Sequence, residues 1–108
     1  MKSLKFFTLI VCLSSVSVTT SLCAEVFEVG QKNKAFTQKA LVIKVGDTVS
    51  FKNEDAFFHN VFSLSDAKLF DLGSYPQGVA RDVTFDAPGE VEVECAVHPD
   101  MTMTITVQ

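Results

Sequence analysis

Apolar residues recur at every second position through much of the chain from Ala40 to Gln108. In "ALVIKVGDTVSFKN" Leu41, Ile43 and Val45 share one face, followed by Val49 and Phe51, so two strands meet at Gly46-Asp47. "HNVFSL" and "RDVTF" read as further short strands, and "DAPGE" as a turn whose Pro88-Gly89 pair suits type II geometry. "VEVECAV" puts Val91, Val93, Cys95 and Val97 on one side and Glu92 and Glu94 on the other. "TMTITVQ" sets Met103, Ile105 and Val107 against three threonines. The least strand-like stretch is "SDAKLFDLG", Ser65 to Gly73, which has room for one helical turn. About seven short strands, with no amphipathic helix of useful length, indicate an all-β fold, an antiparallel β-sandwich.

The first residues follow a different pattern. Lys2 and Lys5 precede a mostly apolar run from Phe6 to Val18, then small and polar residues lead to Cys23 and Ala24. That is the layout of a secretory signal peptide, expected over residues 1–24, and the apolar run is too short for a membrane span. Cleavage after Ala24 or after Cys23 is compatible with the pattern, whereas Thr20-Ser21-Leu22 makes a poor acylation signal before Cys23. Removing the leader leaves 84 of the 108 residues, one domain over residues 25–108. The remaining seven basic residues of nine face all thirteen acids, a formal charge of −6. So acidic a small exported domain is unsuited to nucleic acid or an anionic membrane, and suited to a basic patch on another protein.

Export also thins the set of soft donors. Cys12 and Cys23 depart with the leader, leaving Cys95, His59, His98, Met101 and Met103. A single cysteine in an oxidising compartment is a reactive thiol, an intermolecular bridge or a metal ligand. Cys95, His98 and Met101 are spaced C-x-x-H-x-x-M, and the alternation breaks at Pro99-Asp100, so a tight loop joins two strands there. Such a loop aims several side chains at one point, which a continuous strand cannot do. His₂Cys with a weak axial Met is the donor set of a blue copper site, and His59 is the second histidine. Met103 is in phase with Ile105 and Val107 and is assigned to the core. Taken singly, each of these residues has an ordinary structural role. Their conjunction points to copper.

"HNVFS" and "CAVHPDM" carry a more specific likeness. From about Ala40 to Gln108 the chain resembles the cupredoxins, above all amicyanin and the small plastocyanin-like proteins grouped with methylamine utilisation. The resemblance implies a Greek-key sandwich binding one type 1 copper through His59, Cys95, His98 and axial Met101. "HPDM" matches the short H-P-x-M loop of amicyanin, whereas the longer plastocyanin loop would select Met103. Two departures stand out. Val97 replaces the proline those relatives carry before the loop histidine, so its amide becomes a candidate hydrogen-bond donor to the Cys95 sulfur. Asn60 resembles the family residue that ties the ligand loops together and supplies the other donor. Glu94 stands where many relatives have an aromatic residue.

These features imply a periplasmic, monomeric carrier of single electrons between two redox proteins that dock at an apolar patch around His98. A periplasmic copper carrier or storage protein is the alternative, although such proteins display several exposed Met or His and this chain has no tract of either. An enzyme is not expected. A Cys95–His59 nucleophile pair is conceivable, but a four-ligand site leaves no open position for substrate. Zinc on the same residues is disfavoured by the thioether.

Overall fold

The computed structural model describes residues 23–108. The leader expected from the sequence lies, apart from Cys23 and Ala24, outside the described residues. Nine strands are formed among them: β1 Val26–Lys32, β2 Ala35–Phe36, β3 Ala40–Ile43, β4 Thr48–Asn53, β5 His59–Ser65, β6 Lys68–Tyr75, β7 Ala80–Thr84, β8 Gly89–Cys95 and β9 Thr102–Val107. They build two sheets, ordered β2-β1-β4-β7 and β3-β9-β8-β5-β6.

The all-β sandwich is as expected, but its strands are not uniformly antiparallel. Each sheet contains one parallel pair, β1 with β4 and β3 with β9. The reason lies at Lys44–Asp47. Although β3 and β4 are consecutive, they belong to different sheets, so this segment is a crossover and not a hairpin. Asp47 holds it: Oδ1 accepts the Glu25 amide at 2.9 Å and Oδ2 the Lys44 amide at 2.8 Å. The apolar face expected to run Leu41-Ile43-Val45 therefore stops at Ile43, and Val45 is 47% exposed.

Ser65–Gly73 holds no helical turn. Asp66 and Ala67 form a tight connection, Ser65 pairs with Lys68, and β6 runs on to Tyr75 as an edge strand. Phe70 and Leu72 pack inward while Leu69 and Asp71 face out, a period of two that the intervening charges and Gly73 obscure.

The core lies between the sheets. Phe51 of β4 is fully buried, with Phe36 edge-on at 6.3 Å and Phe70 of β6 stacked at 6.1 Å. Phe85 meets Phe70 edge-on at 6.2 Å, so aromatic rings link the two layers. Each such pair adds about 0.5–1.5 kcal/mol to the area it buries. The start of β5, the end of β8 and the loop into β9 come together at one end of the sandwich, where β5 pairs with β8 at Val61 and Cys95.

Candidate metal centre

Three strand ends deliver the candidate donors. Cys95 is the last residue of β8 and is a buried free thiol. Beyond it the chain makes two successive turns, with the His98 amide donating to Cys95 O at 3.3 Å and the Met101 amide to His98 O at 2.8 Å. Bonds of this i to i+3 kind nearly superpose every third side chain. The C-x-x-H-x-x-M spacing thus turns Cys95, His98 and Met101 inward, while Ala96, Val97, Pro99 and Asp100 are exposed. Val97 is 59% exposed, because the alternation that would have buried it ends with the strand at Cys95.

His59 opens β5 and is fully buried. Its Nδ1 is 3.6 Å from Cys95 Sγ, and His98 Nδ1 is 3.7 Å from the same sulfur. The three ligand atoms lie within 4.8 Å of one another. Phe57 packs over both imidazoles, with ring centroids 5.3 Å from His59 and 5.5 Å from His98. Two imidazole nitrogens converging on a buried thiol, roofed by an aromatic ring, suit a soft metal.

Both methionines are buried, so burial does not separate them. Their positions do. Met103 is opposite Val93 in the β8–β9 ladder and belongs to the core cluster. Met101 precedes β9 and shares with His98 the wall of a pocket bounded by Lys34, Val97, Pro99 and Asp100.

The sulfur receives an amide bond from β5, where Asn60 N–H donates to Sγ at 3.5 Å. The Asn60 side chain reaches Asp71 Oδ1 at 3.4 Å, so it contacts β6 and not the cysteine loop. A bulge follows at once. Asn60 pairs with Ser74 and Phe62 with Asp71, and Gly73 takes φ of 72°. Bulges of this kind re-aim neighbouring side chains and are frequent beside functional sites.

The sequence did not single out Asp55. Its Oδ2 lies 2.7 Å from His59 Nε2, and its carboxylate also accepts the Asn33 and Lys34 amides at 2.7 and 3.1 Å. Burial pushes this carboxyl up, but the bonds from His59 and the two amides outweigh it and hold it below its usual value. An acid four residues before a histidine in a loop is a weak signal. The turn from Asn33 to Lys34 that completes the contact is remote in sequence.

Residues 24–108 match the family described as copper binding proteins, plastocyanin/azurin family. The chain belongs to this family. Methylamine utilization protein MauL of Methylorubrum extorquens is 27% identical over 105 residues, 96% of this chain and 92% of that one. Chloroplastic plastocyanin of Chlamydomonas reinhardtii is 40% identical over 60 residues, 51% of this chain and 37% of that one. Among solved structures, the oxidised state of an amicyanin variant superposes with a TM-score of 0.71 at 26% identity, covering 77% of this chain and 82% of that one. The chain is thus a cupredoxin similar to amicyanin, and its converging His, Cys and His donors suit one type 1 copper ion.

Proposed function

We propose that this cupredoxin is an exported carrier of single electrons, with His59, Cys95, His98 and axial Met101 as the ligands of its type 1 copper. Copper bound here supplies a Cu(I)/Cu(II) couple. The reading rests above all on two Nδ1 atoms at 3.6 and 3.7 Å from one buried sulfur.

The protein's own residues do the rest. β5 and β8 are paired at Val61 and Cys95, so His59 and the thiolate are held by one ladder. The two turns after Cys95 fix His98 and Met101 through backbone bonds, so the donors need not reorganise when charge changes. Phe57 and the sandwich exclude water from His59, whereas His98 is half-buried at the molecular end. Around His98, Val97 is 59% and Phe57 40% exposed, and Pro99 is exposed beside them. This rim suits a redox partner that docks over His98 and exchanges the electron through its ring. Lys2 and Lys5 ahead of the apolar leader run support export to the periplasm.

Val97 keeps the backbone N–H that a proline at this position would lack, and with copper bound this amide would be a second donor to the thiolate beside that of Asn60. Donors to the sulfur favour the electron-rich Cu(I) state, so Val97→Pro lowers the reduction potential. Loss of one such bond is worth up to roughly 60 mV, a factor of ten for a one-electron couple. An equal or higher potential by voltammetry refutes this donor.

Adding Cu(II) to the purified mature protein tests the function. An intense blue charge-transfer band is expected, absent in Cys95→Ser, with reversible one-electron potentiometry. A colourless product refutes the assignment, and binding without reversible cycling favours a copper carrier.

A further inference from the structure

The two most exposed large apolar side chains among the described residues lie away from the candidate ligands and in one ladder. Leu64 of β5 and Leu69 of β6 are 71% and 70% exposed and stand directly opposite each other. Both point away from the core, since the buried positions of β5 are His59, Val61 and Ser63, and Phe70 and Leu72 are the inward residues of β6. Phe62, half-buried, is the next outward residue of β5, opposite Asp71 on one side and Glu94 on the other. The five steps from His59 to Leu64 span roughly 17 Å, so the leucine pair lies toward the other end of the sandwich.

Beside this apolar strip runs a column of glutamates. β8 turns Val91, Val93 and Cys95 inward, which leaves Glu90, Glu92 and Glu94 on the outer surface at spacings of about 7 Å. Across the ladder on β9 stand Thr106, Thr104 and Thr102. Among the described residues no Lys or Arg pairs with these glutamates or with Asp71; the carboxylates in ion pairs are Asp86, with Lys68, and Asp55, with His59. The donors they do meet are neutral: the Thr104 hydroxyl to Glu92 at 2.8 Å, and the Asn60 side chain and Gly73 amide to Asp71 at 3.4 and 2.9 Å. This outer face is therefore divided into threonines over β9, uncompensated acids along β8, and Phe62, Leu64 and Leu69 toward the edge strand β6. Where the sheet is merely solvated, as on β9, its outward residues are polar. A contiguous apolar strip at an edge is instead the mark of a binding surface.

We propose that the outer face of β8, β5 and β6 is a docking surface for a basic protein partner. The partner seats apolar side chains on Phe62, Leu64 and Leu69 and sets lysines or arginines against Glu90, Glu92 and Glu94. Charge decides between occupants. A second copy would bring two glutamate columns together, and an anionic membrane would meet the same repulsion, whereas a basic partner relieves the repulsion within the column. This surface is separate from the rim around His98 and does not depend on bound copper. A partner held here leaves the His98 end free, so in the proposed carrier binding and electron exchange are separable.

The test uses the mature protein, kept reduced, and two synthetic amphipathic helical peptides that share a leucine face. One carries lysines on its polar face and the other glutamates. Nitrogen-15 chemical-shift mapping locates binding, and titration of the fluorescently labelled peptides reads affinity. The lysine peptide is expected to bind with shifts confined to β5, β6 and β8, and the glutamate peptide to leave the spectrum unchanged. Leu64→Ser combined with Leu69→Ser, both at exposed positions outside the core, is expected to weaken the lysine peptide about tenfold. Two double variants with the same change in net charge separate this face from general attraction. Glu90→Gln with Glu92→Gln is expected to weaken binding about threefold or more. Glu28→Gln with Asp82→Asn, which flank Ser50 on the outer face of the other sheet, is expected to change it less than about twofold. Equal losses in the two double variants overturn the proposal, as do shifts centred on His98 or spread over every acidic surface. Failure of the lysine peptide to bind, or undiminished binding by the leucine variant, overturns it too. A concentration-dependent dimer in sedimentation equilibrium that the leucine variant abolishes assigns the face to a second copy and overturns the basic partner.

Discussion

Met101 and Met103 are two residues apart, chemically identical and equally buried, so only geometry distinguishes them. Met101 ends the second turn of the ligand loop, while Met103 faces Val93 inside a ladder. Replacing Met101 by Gln is expected to change the charge-transfer spectrum and the potential, because in the proposed site an amide oxygen would take the place of a weak thioether donor. Met103→Leu keeps volume and apolarity, so it should cost less than about 1.5 kcal/mol and leave the spectrum unchanged. The opposite pattern would transfer the axial role to Met103. A second residue-scale test uses Tyr75, the single tyrosine of the chain. Burial raises its phenol pKa, the nearby Arg81 lowers it, the Cys95 charge raises it and the bond to Gln31 lowers it; the net direction is upward. A phenol whose pKa is raised by folding contributes stability below its unfolded pKa, about 10, that is lost as pH rises toward the folded value. Phenolate absorbance is therefore expected to stay silent in the folded protein at pH 10 and to appear together with alkaline unfolding. Titration near pH 10 in a still-folded protein would contradict this.

At the scale of elements, the sequence is most readable where the backbone is regular. β8 and β9 alternate strictly, and their inward residues Val91, Val93, Cys95, Met103, Ile105 and Val107 are all buried. The C-x-x-H-x-x-M spacing marks the loop between them, because its two turns bring each third residue inward. What the pattern hides is non-local. Strand pairing across the β3–β4 crossover depends on which sheet each strand joins, and alternation within a strand carries no such information. β6 hides for a different reason: as an edge strand it exposes Leu69 and carries a bulge at Gly73, which breaks its phase. The β1–β2 hairpin escapes notice because its turn is Asn33-Lys34, without the glycine that usually marks left-handed backbone. Asp55 is missed with it. The bulge gives this scale its prediction. Gly73 sits at φ 72° with open space for a Cβ beyond ordinary contact with Arg81 at 3.6 Å, so Gly73→Ala pays only the left-handed backbone penalty, about 1–2 kcal/mol. Chemical denaturation reads the loss. A neutral substitution would mean that the bulge relaxes without cost, in which case it does not hold the β5 end that bears His59.

At the scale of the molecule, charge and polarity are divided between two tasks. Apolar residues crowd the end that holds the candidate ligands, where Phe57, Val97 and Pro99 flank His98. Acids predominate elsewhere: Glu28, Glu54, Asp71, Asp82, Asp86, Glu90 and Glu92 are exposed. A close apolar contact at this end would favour electron transfer through His98 in the proposed carrier, while the net charge of −6 on residues 25–108 acts at longer range on the encounter. The two effects separate experimentally with small oxidants of opposite charge, which need no knowledge of the natural partner. Oxidation of the reduced protein by a tripositive cobalt complex should slow as salt rises, because screening weakens an attraction. Oxidation by ferricyanide should accelerate, because screening weakens a repulsion. Both changes should be steepest below about 0.15 M, where the Debye length exceeds about 8 Å. Identical salt trends for the two oxidants would show that the acidic surface does not govern the approach to His98. Opposite trends would establish that it does, and would predict a basic docking face on the natural partner.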